Sequence, residues 1–508
     1  MSELPQEILD VAIIGSGFAG LGMAIKLRQE GRRSFVVLEK EAALGGTWLV
    51  NHYPGCACDV QSHLYSFSFE QNPDWSRTFS PQSEIRDYLE HCADKYDVRR
   101  AIRFGCEVTR ARFDEAAACW ELTAADGQQL RARVLVSGMG GLSRPSIPDF
   151  PGLSEFRGYR FHSQQWDHEY PLEGKRVAVI GTGASAIQLV PRVAEKVAHL
   201  DLYQRTPPWV LSKPDFRVAP FWRRLFRQMP WTQRLFRTAI YWHLEGRAFA
   251  FTRFPAVMKL IQPMARRFIA RQIRDPALRA KLTPDYTLGC KRVLMANDYY
   301  PTLDREHVDV HSGGVKGFTA TGVIGADGLE RPADAVILAT GFAATEPLPP
   351  GAIIGRDGVD IVEAWKDTGP EAYLGCTVAG FPNLFILAGP NTGLGHSSMV
   401  FMIESQIAYV MDALRRMDQD NLASVDLKPA VQAEYNRRLQ RRMQRTVWET
   451  GGCRSWYMDA GGKNVALWPN FTWQFRLRTR RFRLNDYDWR PHPRASASGA
   501  VATHGAQA

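Results

Sequence analysis

Short apolar runs that stop at a glycine mark the first informative places in the chain. The run Asp10-Val-Ala-Ile-Ile ends at Gly15, and Gly17 and Gly20 follow before a helix-like stretch from Leu21 to Gln29. A second run, Ser34-Phe-Val-Val-Leu, ends on the acid Glu39. Runs without polar alternation predict strands buried on both faces, as in a parallel sheet covered by helices. The same order returns later. Lys175-Arg-Val-Ala-Val-Ile leads into Gly181, Gly183 and Ala186, and its second strand is His199-Leu-Asp-Leu-Tyr-Gln-Arg-Thr206. Between 208 and 290 the spacing turns helical, with Trp222, Leu225, Phe226 and Met229 in one stretch. The expected fold class is α/β, with two Rossmann-like dinucleotide-binding domains and an inserted helical subdomain.

Each glycine has a task in such a unit. Gly15 and Gly181 make the tight turn, Gly17 and Gly183 let backbone N–H groups approach a pyrophosphate, and Gly20 and Ala186 let the helix pack on the strand. The pyrophosphate sits at the positive end of the helix, so Thr182, Ala184 and Ser185 are expected beside it in the second unit. The two units differ in one telling position. Glu39 follows Gly15 at the same spacing as Arg205 follows Gly181. An acid there accepts hydrogen bonds from a ribose 2′-hydroxyl and repels a 2′-phosphate, whereas a guanidinium pairs with that phosphate. The first unit is therefore expected to hold FAD and the second NADPH, with Thr206 adding a hydroxyl donor. The alternative is that Arg205 is an ordinary surface residue and the second unit takes NADH.

Composition narrows the class. In 508 residues the hydrophobic fraction is 45% and the charged fraction 23%, which excludes wholesale disorder. No run approaches the ~18 apolar residues of a membrane span, and the acidic start Met-Ser-Glu-Leu-Pro-Gln-Glu does not read as a signal peptide. Cysteines 56, 58, 92, 106, 119, 290, 376 and 453 are scattered, which predicts reduced thiols and a cytoplasmic location. The net charge of +10 draws on arginines around 222–280 and 437–482. No nucleic-acid motif accompanies them, so solvated helix faces and attraction for anionic cofactors are expected.

A flavin and a nicotinamide in one chain imply hydride transfer between them. They leave open whether the reduced flavin serves a disulfide, leaks to oxygen or oxygenates a substrate. Cys56-Ala-Cys58 is poorly spaced for a redox disulfide and reads as packing. His52 and His63 flank it, but the paired spacings of a zinc site are missing, and no metal is expected.

Two longer patterns choose among these chemistries. Phe156-Arg-Gly-Tyr-Arg-Phe-His-Ser-Gln-Gln-Trp-Asp167 matches F-x-G-x-x-x-H-x-x-x-W-[PD] through Phe156, Gly158, His162, Trp166 and Asp167. Gly45-Gly-Thr-Trp-Leu-Val-Asn-His-Tyr-Pro-Gly-Cys-Ala-Cys-Asp59 matches [AG]-G-x-W-x(4)-[FY]-P-[GM]-x(3)-D. On these the chain resembles the type I Baeyer–Villiger monooxygenases from about residue 8 to about 482, with Ala339-Thr-Gly-Phe342 and Phe385-Ile-Leu-Ala-Gly-Pro-Asn391 adding to the likeness. The resemblance implies that NADPH reduces FAD, that O₂ gives a C4a-peroxyflavin, and that a ketone becomes an ester or lactone through a Criegee adduct. It implies contact of Gly46, Thr47 and Trp48 with cofactor, a catalytic Arg292 held by Asp59, a phosphate-binding Lys291, and a Trp456 that covers NADP. A packed core tryptophan is the alternative for Trp456. His162 reads as a hinge residue coupling cofactor motions, with a catalytic acid/base role as the alternative. The chain departs from better-known members at Cys56-Ala57, where many carry Ala-Arg.

The expected organisation is a FAD domain in two parts (1–148 and 345–486), an NADP domain in two parts (149–207 and 291–344) and a helical insertion (208–290) over the substrate entrance. A disordered tail (487–508) is expected to follow. Basic amphipathic helices can also lie on lipid, which is the other reading of the insertion. The partners implied are a small ketone and O₂, with no nucleic acid and no transmembrane segment; peripheral membrane contact and oligomeric state stay open. The competing readings are an S- or N-oxygenating flavin monooxygenase, a flavoprotein redox sensor and a flavin disulfide reductase. Trp166 and Asp167 favour the ketone reading, since the S- and N-oxygenating relatives usually carry Tyr or Phe at the tryptophan.

Overall fold

The computed structural model describes residues 7–344 and 348–492. Its first sheet is built on the strands Leu9–Ile14 and Phe35–Leu38, which pair in parallel. Leu9–Ile14 also pairs in parallel with Gln129–Ser137. That long strand continues through antiparallel partners Cys119–Ala124 and Val108–Asp114. Two late strands return to the same sheet: Leu384–Ile386 beside Gln129–Ser137, and Ile353–Ile354 beside Val108–Asp114. Side chains from Val11 to Ile13 and from Val36 to Leu38 are buried, as apolar runs without alternation demand.

The second sheet is wholly parallel. Its order is Val308–Ser312, His199–Gln204, Arg176–Ile180, Ala335–Leu338 and Tyr159–His162. The last strand is the middle of the Phe156–Asp167 fingerprint. That segment is therefore an edge strand of the second sheet and not a free linker.

Each unit's helix starts at its second glycine, Phe18–Gln29 after Gly17 and Ala184–Val193 after Gly183. Phe18–Gln29 is buried along most of its length because Met399–Gln419 packs on its other side. A side chain at Gly22 would strike Phe67 and Ile407.

The helices Pro220–Gln228, Pro230–Thr252, Ala256–Gln272 and Pro276–Leu282 form the insertion. Buried polar groups anchor it. Arg237 donates to the carbonyls of His63 (2.8 Å) and Ser66 (3.0 Å), and Gln233 donates to the Asn72 carbonyl at 2.6 Å. Glu245 accepts from the backbone and hydroxyl of Thr472 at 2.9 and 2.8 Å. Buried charges with several partners each define one docking geometry.

Two expectations are corrected. The boundary of a disordered tail at 487 is wrong, because Tyr487–Pro491 is a strand paired antiparallel with Leu422–Leu427. Tyr487 is buried, and its hydroxyl meets those of Thr377 and Tyr409 at 2.9 and 2.6 Å. The rest of the expected tail, 493–508, lies outside the described residues. The cysteines are also not all thiols: Cys290 and Cys453 form a disulfide, their Cα atoms 6.1 Å apart. They stand 163 residues apart in the chain, so only the folded loops reveal the pair.

Candidate active site

The glycine loops are as crowded as their motifs require. Gly15 adopts φ +91°, and an added Cβ would lie 2.9 Å from the Gly138 carbonyl oxygen. At Gly20 it would lie 1.8 Å from the Gly15 oxygen, so any side chain there would separate helix from strand. Gly17 faces Gly46 of the second fingerprint, whose own Cβ would sit 2.9 Å from the Gly17 Cα. Two backbones thus approach with N–H groups free of side-chain cover, a cradle of the kind a pyrophosphate fits. Glu39 is buried at the strand end, where one carboxylate oxygen accepts from the backbone N–H (2.7 Å) and hydroxyl (2.6 Å) of Ser16. The acid therefore stands against the glycine loop.

The second loop repeats the geometry with a different charge. Gly181 has φ +112°, and a Cβ there would lie 2.3 Å from the Ala339 oxygen. Gly183, at the start of Ala184–Val193, has open space where its Cβ would be. The Thr182 hydroxyl donates to the Thr206 carbonyl at 3.2 Å, tying the loop to the end of the second strand. Arg205 is exposed there, and its charge reaches Lys291. Burial first, and then the Arg205 guanidinium, hold the Lys291 ammonium below the usual lysine range. Two cations from separate segments thus stand close enough to feel each other's charge.

The two units meet through the second fingerprint. Gln188, on the second unit's helix, accepts from the Tyr53 hydroxyl (3.0 Å) and the Ala57 N–H (3.3 Å) and donates to the Ala57 carbonyl (2.9 Å). Gly55 lies so close that a Cβ would sit 2.6 Å from the Gln188 carbonyl oxygen. Directly after this contact, Asp59 takes Arg292 in a fork: Nε donates to one carboxylate oxygen and Nη2 to the other, each at 2.8 Å. Arg292 Nη1 donates to the Leu394 carbonyl at 3.3 Å. The Asp59 carboxylate raises the Arg292 pKa, so the guanidinium keeps its charge throughout the working range.

Two tyrosines lie in the field of this pair. Burial pushes the Tyr457 phenol up to about 12, while the Arg292 charge pulls the other way. Burial also raises Tyr65, which accepts from Trp48 Nε1 at 3.1 Å. The Tyr457 hydroxyl is buried with no hydrogen-bond partner among the described residues. Neither tyrosine nor Leu394 was singled out in the sequence, since each contact depends on a segment far along the chain.

The first fingerprint serves a framework. Phe156 covers Gly158 so closely that a Cβ would fall 2.4 Å from its ring, which explains the glycine. Trp166 is buried edge-on to Phe161, centroids 5.1 Å apart. Asp167 accepts from the Tyr159 hydroxyl at 2.5 Å and the Glu169 N–H at 2.9 Å, and these bonds lower its pKa. His162 is buried on the strand that pairs with Ala335–Leu338, edge-on to Phe342. Burial lowers its pKa, and the Gly341 backbone opposes that shift. It contacts the loop that presses on Gly181, so it joins the fingerprint to the second cradle. Trp456 is 49% exposed beside Tyr457, which removes the packed-core alternative.

Cys56 and Cys58 are buried thiols. Cys56 Sγ donates to the Asn51 carbonyl at 3.2 Å, and Cys58 Sγ accepts from the Val60 N–H at 3.3 Å. Burial pushes Cys56 up to about 12 and Cys58 higher, far from the thiolate a disulfide relay needs.

A family model described as pyridine nucleotide-disulphide oxidoreductase matches residues 12–236. The solved complex of OTEMO with FAD and NADP superposes with a TM-score of 0.85 at 26% identity, covering 95% of this chain and 99% of that one. A Baeyer-Villiger monooxygenase of Streptomyces coelicolor is 48% identical over 507 residues, 99% of this chain and 97% of its own. One of Pseudomonas aeruginosa is 55% identical over 489 residues, 96% of this chain and 93% of its own. With likeness of that order running through both glycine loops and both fingerprints, the chain belongs to the Baeyer-Villiger monooxygenase family.

Proposed function

We propose that this chain is an FAD-dependent, NADPH- and O₂-consuming monooxygenase that converts ketones to esters or lactones. The observation that carries the reading is the Asp59–Arg292 fork, set where the two dinucleotide cradles meet. Bound FAD and NADPH supply the hydride relay and the activation of O₂.

The chain's own residues do the rest. Gly15, Gly17, Gly20, Gly46, Thr47 and Trp48 hold the FAD pyrophosphate and ring system, and Glu39 accepts from the adenosine ribose. Gly181, Thr182, Gly183, Ala184 and Ser185 hold the NADPH pyrophosphate. Arg205, Thr206 and Lys291 take its 2′-phosphate, the anion that relieves their mutual repulsion. Arg292 holds the negative charge that develops on oxygen, and Asp59 orients it without reacting. Trp456 closes over the nicotinamide and excludes water. His162 couples the fingerprint strand to the second cradle as the two units adjust.

Protonation favours the ketone over the sulfide or amine reading. Nucleophilic attack on a carbonyl needs an anionic oxygen, and a fixed guanidinium favours that form. Tyr457, Tyr65 and Cys58, the titratable neighbours of the pair, all keep their protons near neutrality. The test is to give the holoenzyme NADPH, air and a panel of linear, cyclic and aryl ketones. Esters or lactones are expected; oxidised sulfides or amines without esters would transfer the chain to the S- and N-oxygenating class.

A further inference from the structure

The helical insertion carries a surface that none of this chemistry uses. In Pro230–Thr252 the residues Trp231, Leu235, Trp242 and Phe249 fall on one stripe, because steps of four and seven return to nearly the same azimuth. All four are exposed. In the following helix Leu260 and Met264 share a face and are 78% and 68% exposed. Phe249 meets Phe254 with centroids 4.5 Å apart, which carries the stripe round the turn between the helices. The opposite face of Pro230–Thr252 carries the buried Gln233, Arg237, Ile240 and Leu244 and is pinned by Arg237, so the apolar stripe is presented outward by a packed helix. Apolar exposure on this scale marks a contact surface.

From Phe216 to Arg274 the exposed charges are all cationic, while Asp74 and Asp304 at the border pair with Arg227 and Arg274, and Asp285 lies beside Lys259 and Arg266. Arg224, Arg234, Lys259, Arg266, Arg267 and Arg271 are exposed and make no ion pair among the described residues. The sole carboxylate from Phe216 to Arg274 is Glu245, buried against Thr472. A second copy of the chain would set one cationic face against another. The chain's own 493–508 segment has neither an aromatic nor an acid to offer. An apolar stripe bordered by unneutralised cations suits an anionic lipid surface, into which aromatic rings sink to the headgroup boundary while guanidinium groups stay among the phosphates.

We propose that this face of the insertion docks on an anionic bilayer. It lies on the membrane and does not cross it: no helix among the described residues is long and apolar enough to span one. A bilayer is also where water-insoluble ketones collect. That consequence rests on the proposed function; the binding does not.

The test is flotation of the full-length holoenzyme with vesicles of phosphatidylcholine alone or mixed with phosphatidylglycerol. Binding is expected only to the mixed vesicles and is expected to fall as salt rises. Arg266→Glu/Arg267→Glu and Trp242→Ser/Leu260→Ser should each lower the bound fraction about tenfold or more, with flavin content and melting temperature unchanged. Absence of flotation with anionic vesicles overturns the proposal. If Trp242→Ser/Leu260→Ser then also dissociates a dimer seen by sedimentation, the face is a self-association surface. Flotation that neither double variant reduces overturns it as well.

Discussion

Asp59 and Arg292 lie 233 residues apart in the chain and meet through two parallel hydrogen bonds of 2.8 Å. Asp59 ends the fingerprint that docks on Gln188, and Arg292 follows directly on Lys291, whose charge feels Arg205. One fork therefore links the junction between the dinucleotide units to the proposed phosphate site.

Loss of that guanidinium should separate the two half-reactions. Arg292→Ala is expected to reduce flavin with NADPH within a few-fold of the parent rate. Oxygenation should fall by about 10²–10³, the range for removing one preorganised stabiliser of developing charge. Asp59→Ala should fall between the two, since it frees the arginine without removing it. Anaerobic stopped-flow reduction and product analysis on the same preparations check this. Unchanged ester formation in Arg292→Ala would remove its proposed role.

The 2′-phosphate site predicts a cofactor preference. Arg205→Ala and Lys291→Ala should each raise the KM for NADPH by about 10- to 100-fold, the range for a lost charged hydrogen bond. The KM for NADH should hardly move. Equal effects on both cofactors would place the phosphate elsewhere.

Acid should weaken the anchor of the helical insertion. Burial and the Arg237 charge hold the buried His63 imidazole at about 4, below its ordinary 6.5. The unfolded chain then binds more protons than the folded one between those values. Stability is complete above about pH 6.5 and declines as pH falls towards 4, by on the order of 2 kcal/mol at pH 5. His63→Asn should flatten this part of the melting-temperature profile. A profile identical to the parent's would show that another group controls it.

The disulfide should stabilise the loop beside the site. Cys290 precedes Lys291, and Cys453 lies just before Trp456 and Tyr457. Cys290→Ser/Cys453→Ser should cost about 2–5 kcal/mol of unfolding free energy. It should also raise the KM for NADPH, because the loop bearing Trp456 loses its tether. Denaturant unfolding and steady-state kinetics measure both, and an unaltered unfolding midpoint would contradict the first.

What could be read from the sequence was local. Gly15 and Gly20 declare themselves because the turn and the helix contact lie within one short stretch. The Glu39–Arg205 contrast appears once two such stretches are aligned. Phe156 and Gly158 form a pattern whose reason, a ring over a bare Cα, only the structure supplies. Contacts made across the chain stayed hidden. Gln188 reaches Ala57 from 131 residues away, Tyr457 gains meaning only beside Arg292, and scattered cysteines gave no hint of Cys290–Cys453. The strand Tyr487–Pro491 was hidden for a similar reason, since it is held by a partner strand at Leu422–Leu427 rather than by its own pattern.

Isotope labelling tests the insertion of oxygen into a ketone. The holoenzyme is incubated with NADPH and a ketone under ¹⁸O₂, and the product is weighed by mass spectrometry. An ester or lactone carrying one ¹⁸O atom is expected, formed in step with NADPH consumption. Flavin reduction that ends only in hydrogen peroxide with every ketone, leaving the carbonyl compounds unlabelled, would contradict it.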